Sequence, residues 1–89
     1  MISIELKIIN KLGLHARAAA KLASLARQFE SEIQVDHRGH RVNAKSIMGL
    51  MMLAAGQGTP LTLLLQGKDE GAAAEALKML FEGRFGEVE

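Results

Sequence analysis

The side chains with the most chemical reach in this sequence sit together at Gly13-Leu14-His15-Ala16-Arg17-Ala18-Ala19. An imidazole is a nucleophile at neutral pH. Strand-like alternation (Ile2, Ile4, Leu6, Ile8) stops at Asn10 and helical spacing begins at Ala16, so His15 falls where a helix should start. Ser, Thr, Asp and Asn are the usual residues there, and His is not among them. The first amides of a helix have no intrahelical partner, and the helix dipole favours negative charge beside them. The amides of Ala16 and Arg17 therefore offer a phosphate site next to the imidazole. Arg17 adds a planar, permanently charged fork suited to phosphate oxygens. The combination points to a histidine that carries a phosphoryl group. A surface histidine that merely precedes a helix satisfies the same short pattern.

Two other groups invite a reading. Ser46 precedes a short apolar stretch and is a good N-cap, with a helix expected to run to about Ala55 and Gly56 available as its stop. That helix is apolar nearly all round, which normally means burial on every side. A small single-sheet domain cannot enclose it, so Leu50 and Leu53 are assigned to the core and Ile47, Met48 and Met51 to the outside. Core gap-filling is the competing role for the methionines. His37 and His40 flank an Arg38-Gly39 turn and could face each other. No carboxylate or thiolate cluster completes a metal site around them, and none is expected.

Composition narrows the function classes. Eleven basic against ten acidic residues give a net charge of +1, which argues against a nucleic-acid binder. The lack of Trp and Tyr, with only three Phe, also removes most base-stacking platforms. There is no cysteine, which removes disulfides, thiol nucleophiles and thiolate metal sites. No apolar run approaches the roughly 20 residues that span a bilayer, and Met1-Ile2-Ser3-Ile4-Glu5 does not read as a signal peptide, so no membrane association and a cytoplasmic location are expected.

The elements that must position these side chains follow from periodicity. After the first strand, Ala18, Leu22, Leu25 and Phe29 form a helical stripe flanked by Ala19 and Ala26, giving a helix over 16–29. Ile33 and Val35 mark a second strand, a tight hairpin turn follows at Arg38-Gly39, and a short third strand runs around His40 to Val42. Leu61, Leu63 and Leu65 mark a fourth strand, with Leu64 breaking its polar side. Asp69 is placed as the cap of a last helix to about Glu82 that buries Ala73, Ala76, Leu77 and Leu80. The tail from Arg84 to Glu89 has too little apolar pattern to assign. The order β-α-β-β-α-β-α implies an α+β fold, an antiparallel sheet with helices on one face, as a single domain over 1–89.

The segment Gly13 to Ala19 closely resembles the active-site pattern Gly-x-His-(Ala/Thr)-Arg-Pro-Ala of the HPr family, the histidine phosphocarriers of the bacterial phosphotransferase system. A second segment, Asn43-Ala44-Lys45-Ser46-Ile47-Met48-Gly49-Leu50 followed by Gly56-Gln57-Gly58, is similar to the family's as well, and the resemblance covers essentially the whole chain. The departure is Ala18, where the family has proline; alanine restores a donor and helices well. Asn10-Lys11-Leu12-Gly13 and Gly83-Arg84-Phe85-Gly86 look somewhat like the nitrogen-branch relative, NPr.

The resemblance implies an open-faced β-sandwich of four antiparallel strands with three helices on one side. It implies that His15 Nδ1 accepts a phosphoryl group from enzyme I and passes it to enzyme IIA domains in sugar uptake or regulation, with Arg17 assisting. No cofactor is implied, and the protein is a stoichiometric carrier rather than an enzyme, expected to be a monomer. It further implies that Ile47, Met48 and Met51 dock partners and that Ser46 is phosphorylated by an HPr kinase/phosphorylase. The alternative is a regulatory interaction module that works through the Ser46 helix and has no need of His15.

Overall fold

The computed structural model describes residues 1–89. Its elements are β1 (Ile2–Lys7), α1 (Ala16–Ala26), β2 (Glu32–His37), β3 (His40–Asn43), α2 (Ile47–Met51), β4 (Pro60–Gln66) and α3 (Glu70–Glu82), with a 3-10 turn over Arg84–Gly86. The expected order β-α-β-β-α-β-α is the order found. The sheet runs β1-β4-β2-β3 with every neighbouring pair antiparallel.

The period-two pattern fixes the register, because a slip of one residue would turn each strand's apolar set outward. Ile4 lies opposite Leu63, Leu63 opposite Val35, and Val35 opposite Val42, giving one apolar row across all four strands. The next row, Glu5, Thr62, Asp36 and Arg41, is polar and lies on the other face. Leu61, Leu63, Leu65, Ile33 and Val35 are fully buried under the helices, together with Ala18, Ala19, Leu22, Leu50, Ala73, Leu77 and Phe81. Each large side chain buried in this way stabilises the fold by roughly 1.5–3 kcal/mol. The hairpin turn is as expected: Arg38 and Gly39 both take positive φ, 54° and 83°, and pair His37 with His40.

Several boundaries differ from the sequence reading. The α-helix ends at Ala26 rather than Phe29, because the amides of Gln28 and Phe29 bond three residues back instead of four. Leu25, inside the helix, and Phe29, beyond it, are only half-buried, while Ala23 is fully buried in the core. The Ser46 helix likewise tightens after Met51, and it is stopped by Ala54 at φ 50°, not by Gly56. In α3 the buried stripe is Ala73, Leu77 and Phe81, while Ala76 and Leu80 are half-buried.

Asp69 precedes α3 but does not cap it. Its backbone, at φ −105° and ψ 24°, lacks the extended geometry of an N-cap. Its carboxylate instead accepts from the Glu30 amide at 2.8 Å, the Ser31 amide at 2.9 Å and the Ser31 hydroxyl. Those bonds, the hydroxyl's first, hold the Asp69 carboxyl below its ordinary range and tie the α1–β2 loop to the start of α3.

Candidate functional site

Two loops leave the same end of the sheet and run side by side. The Ile8 amide donates to Thr59 O at 2.9 Å, and the Leu14 amide donates to Ala55 O at 2.8 Å. Gly13, at φ +69°, is where they touch: a Cβ there would lie 2.7 Å from Ala55 O and 2.8 Å from Gly56 Cα. No other residue fits that approach or adopts that φ without strain. This contact aims the chain so that His15 becomes the residue before α1, in extended backbone at φ −78° and ψ 179°.

The His15 side chain caps nothing. The first helical bond is made by the Ala19 amide to His15 O at 2.8 Å, so the amides of Ala16, Arg17 and Ala18 precede it. His15, Ala16 and Arg17 line one open cleft with Lys11, Leu12, Glu87, Val88 and Glu89. Arg17 is exposed, and its guanidinium forms no ion pair or hydrogen bond. Ala18, at the family's proline position, is fully buried in the first turn of α1.

The feature that sequence reasoning missed is the tail. Phe85 is fully buried although its backbone, like that of Arg84, is left-handed, with φ of 53° and 55°. Its ring lies 4.9 Å from that of Phe81, tilted by 57°. Lys21 Nζ donates to Phe85 O at 2.8 Å and fixes the turn to α1. The chain beyond it returns across the cleft, and Glu87 Oε2 meets His15 Nε2. The other oxygen of Glu87 accepts from Asn10 Nδ2 at 3.0 Å. Asn10 is fully buried, and the same nitrogen donates to Gly13 O at 2.8 Å. Two acceptors fix the amide's orientation, and they leave Asn10 Oδ1 buried without a partner. The His15 bond first, then the Asn10 bond, hold the Glu87 carboxyl below its ordinary range. The only sequence signal for this arrangement is a Phe between two glycines, Gly83 and Gly86, which marks a turn with an apolar anchor.

Ser46 does cap α2: its Oγ accepts from the Gly49 amide at 3.0 Å. Beside it, Arg27 Nε donates to Lys45 O at 3.0 Å. Leu50 and Leu53 are buried as expected. Met48 is 74% exposed, Met51 43% and, unanticipated, Met52 71%. Ile47 packs half-buried against the core, so it contributes less surface than the sequence reading gave it. Near the histidine, Leu12 is also exposed. His37 and His40 pair across the β2–β3 hairpin and do not line the His15 cleft, and no group of three or more His, Asp or Glu gathers anywhere that could hold a metal.

The comparisons with known proteins agree on one family. A family model described as the PTS HPr component phosphorylation site matches residues 2–83. The chain belongs to the HPr family. It is 54% identical to phosphocarrier protein HPr of Cupriavidus necator over 89 residues, all of both chains. It is 46% identical to phosphocarrier protein NPr of Shewanella violacea, over 94% of this chain and 92% of that one. Among solved structures, HPr-C-His from Thermoanaerobacter tengcongensis matches with a TM-score of 0.96, at 45% identity and with complete coverage of both chains. The four-stranded antiparallel sheet with its three helices is thus the HPr open-faced sandwich. The protein is an HPr-type phosphocarrier of the phosphotransferase system, a carrier rather than an enzyme. No helix of the HPr fold here is long and apolar enough to cross a membrane.

Proposed function

We propose that His15 Nδ1 is the phosphoryl acceptor, charged by phosphorylated enzyme I and discharged to a histidine on enzyme IIA domains. The observation that carries this reading is an imidazole placed before three unbonded helical amides, with an unpaired guanidinium in the same cleft. The amides of Ala16 and Arg17 and the Arg17 fork would hold the phosphoryl oxygens. A helix N-terminus contributes only about 0.3–2 kcal/mol to an anion, which suits a carrier that must also release its load. Met48, Met51 and Met52, with Leu12, form the apolar surface that a partner would cover. The protein acts as a cytoplasmic monomer in this reading. Incubation with enzyme I, phosphoenolpyruvate and Mg²⁺ should give one acid-labile phosphate, lost in His15→Ala with the thermal transition retained. Incorporation at another residue in the variant would overturn the assignment.

A second reading concerns regulation at Ser46, and the exposed methionines next to its cap favour it. A phosphate on Ser46, added by an HPr kinase/phosphorylase, would place a charge of about −1.5 to −2 beside the docking surface without opposing the local dipole. Ser46→Asp should keep or raise the melting temperature and slow phosphorylation of His15 by enzyme I. A wild-type rate would leave Ser46 as a cap alone.

A further inference from the structure

The tail side chain that meets His15 has no part in the reading above, and its geometry gives it one. The Asn10 amide donates to one oxygen of Glu87, and the other oxygen faces His15 Nε2. The Glu87 side chain is 14% exposed and that of His15 30%, so both groups are largely shielded from water while remaining at the edge of the cleft. A carboxylate accepts hydrogen bonds and donates none, so the Nε2 it faces carries the ring proton. The second ring nitrogen then holds its lone pair, and Nδ1 of His15 makes no hydrogen bond. Which nitrogen of a histidine reacts is set by the bond the other one makes.

We infer that Glu87 is a positioning residue for phosphoryl transfer: held by Asn10, it fixes His15 as the Nε2–H tautomer, directs the phosphoryl group to Nδ1, and balances the charge that the ring gains. The inference rests on the reading of His15 as the acceptor. In the forward step the Nδ1 lone pair forms the N–P bond, and the donor's bond to phosphorus breaks with its electron pair leaving on the donor atom. The proton on Nε2 stays where it is. The ring thereby becomes a substituted imidazolium, and the Glu87 carboxylate is already beside it. The reverse step removes that positive charge, so the same carboxylate takes part in both directions without itself gaining or losing a proton.

The arrangement also accounts for two otherwise costly features. Asn10 Oδ1 is buried unpaired because its amide nitrogen is turned to Glu87 and Gly13. Arg84 and Phe85 hold left-handed backbone, which is unfavourable for residues with a Cβ, because that turn returns the chain to the cleft. Both are departures from local stability of the kind that collects where geometry serves function.

The test needs no partner protein. In the full chain, the imidazole ¹⁵N shifts of His15 should report one tautomer, protonated on Nε2, at a pH where the ring is neutral. Phosphoramidate, a small phosphoryl donor that releases ammonia, should then phosphorylate His15 at Nδ1 alone. Glu87→Ala should give mixed tautomers and a mixture of Nδ1- and Nε2-phosphohistidine by ³¹P NMR, and should react at Nδ1 about ten- to a hundredfold more slowly, as expected for losing a bond to a charged group. Glu87→Gln keeps an acceptor oxygen, so it should retain Nδ1 selectivity while losing rate. It also serves if the alanine variant is poorly folded. Wild-type tautomer, selectivity and rate in the alanine variant would overturn the inference, as would an Nδ1–H tautomer in the wild type. Failure of His15 to accept phosphate from either phosphoramidate or enzyme I would overturn the acceptor reading instead, and the ¹⁵N shifts still decide the role of Glu87 in fixing the ring.

Discussion

Ser46 and His15 both stand before a helix, in extended backbone at φ −107°, ψ 113° and φ −78°, ψ 179°. Ser46 turns its hydroxyl onto the Gly49 amide and closes the end of α2. His15 turns its ring away, onto a residue 72 positions further along, and leaves the end of α1 open. A helix of five residues cannot spare a cap, because so short a helix is marginal. The eleven-residue α1, with five buried side chains, can. Stability provided by packing lets one helix start be used for something other than stability.

The largest effect expected from this contrast is on the open end. Arg17→Lys keeps the charge and loses the fork, so transfer through His15 should slow by about ten- to a hundredfold. Thermal stability should change little, since Arg17 is exposed and unpaired. Rapid-quench transfer assays in both directions check it, and unchanged rates would reduce Arg17 to part of a solvated face. The capping difference comes next. Ser46→Ala should cost about 1 kcal/mol in denaturant unfolding. His15→Ser, compared within a Glu87→Ala background so that no tail contact is lost, should add a few tenths to about 1 kcal/mol by supplying the missing cap. If the serine adds nothing, the α1 amides are already satisfied and the contrast fails.

The smallest expected effect is on pH dependence. Glu87 is held below its ordinary range by His15 and Asn10, Asp69 by Ser31 and Glu30, and Glu70 first by the Gly67 amide. A lowered carboxyl pKa stabilises the fold above the unfolded value, about 4.3 for Glu, and that contribution is lost as pH falls through the folded value. The drop in melting temperature from pH 7 to pH 3 should therefore be smaller in Glu87→Ala than in the wild type. An equal drop would show that the Glu87 bonds do not form in solution.

How much of this was readable in the residues depends on what kind of contact made it. The apolar faces marked by Ile4, Leu63 and Val35 and the cap at Ser46 follow from periodicity and local chemistry and were legible, while the strand order that lines those faces up with Val42 was not. His15 as a helix start, with Arg17 in its cleft, was legible for the same reason. The tail was not. A turn with left-handed Arg84 and Phe85 has no period, so nothing in the pattern shows that Phe85 folds back onto Phe81, four residues earlier. Asp69 misled in the opposite way: its residue type fits a cap, while tertiary contacts with Glu30 and Ser31 claimed its carboxylate.

The contact between His15 and Glu87 also has a place in time. It closes a loop 72 residues apart in sequence, far longer than the hairpin joining His37 to His40. Loop-closure entropy weighs on such a contact until nearer ones have already brought its ends together. The sheet and α1 must therefore assemble, and Phe85 must seat, before the imidazole acquires its carboxylate. A chain caught part-way would display the same histidine on the same helix with its ring free to choose either nitrogen. If His15 is the acceptor, as proposed, the geometry of the site is a late product of folding, and the nitrogen that takes the phosphoryl group would report whether folding has finished.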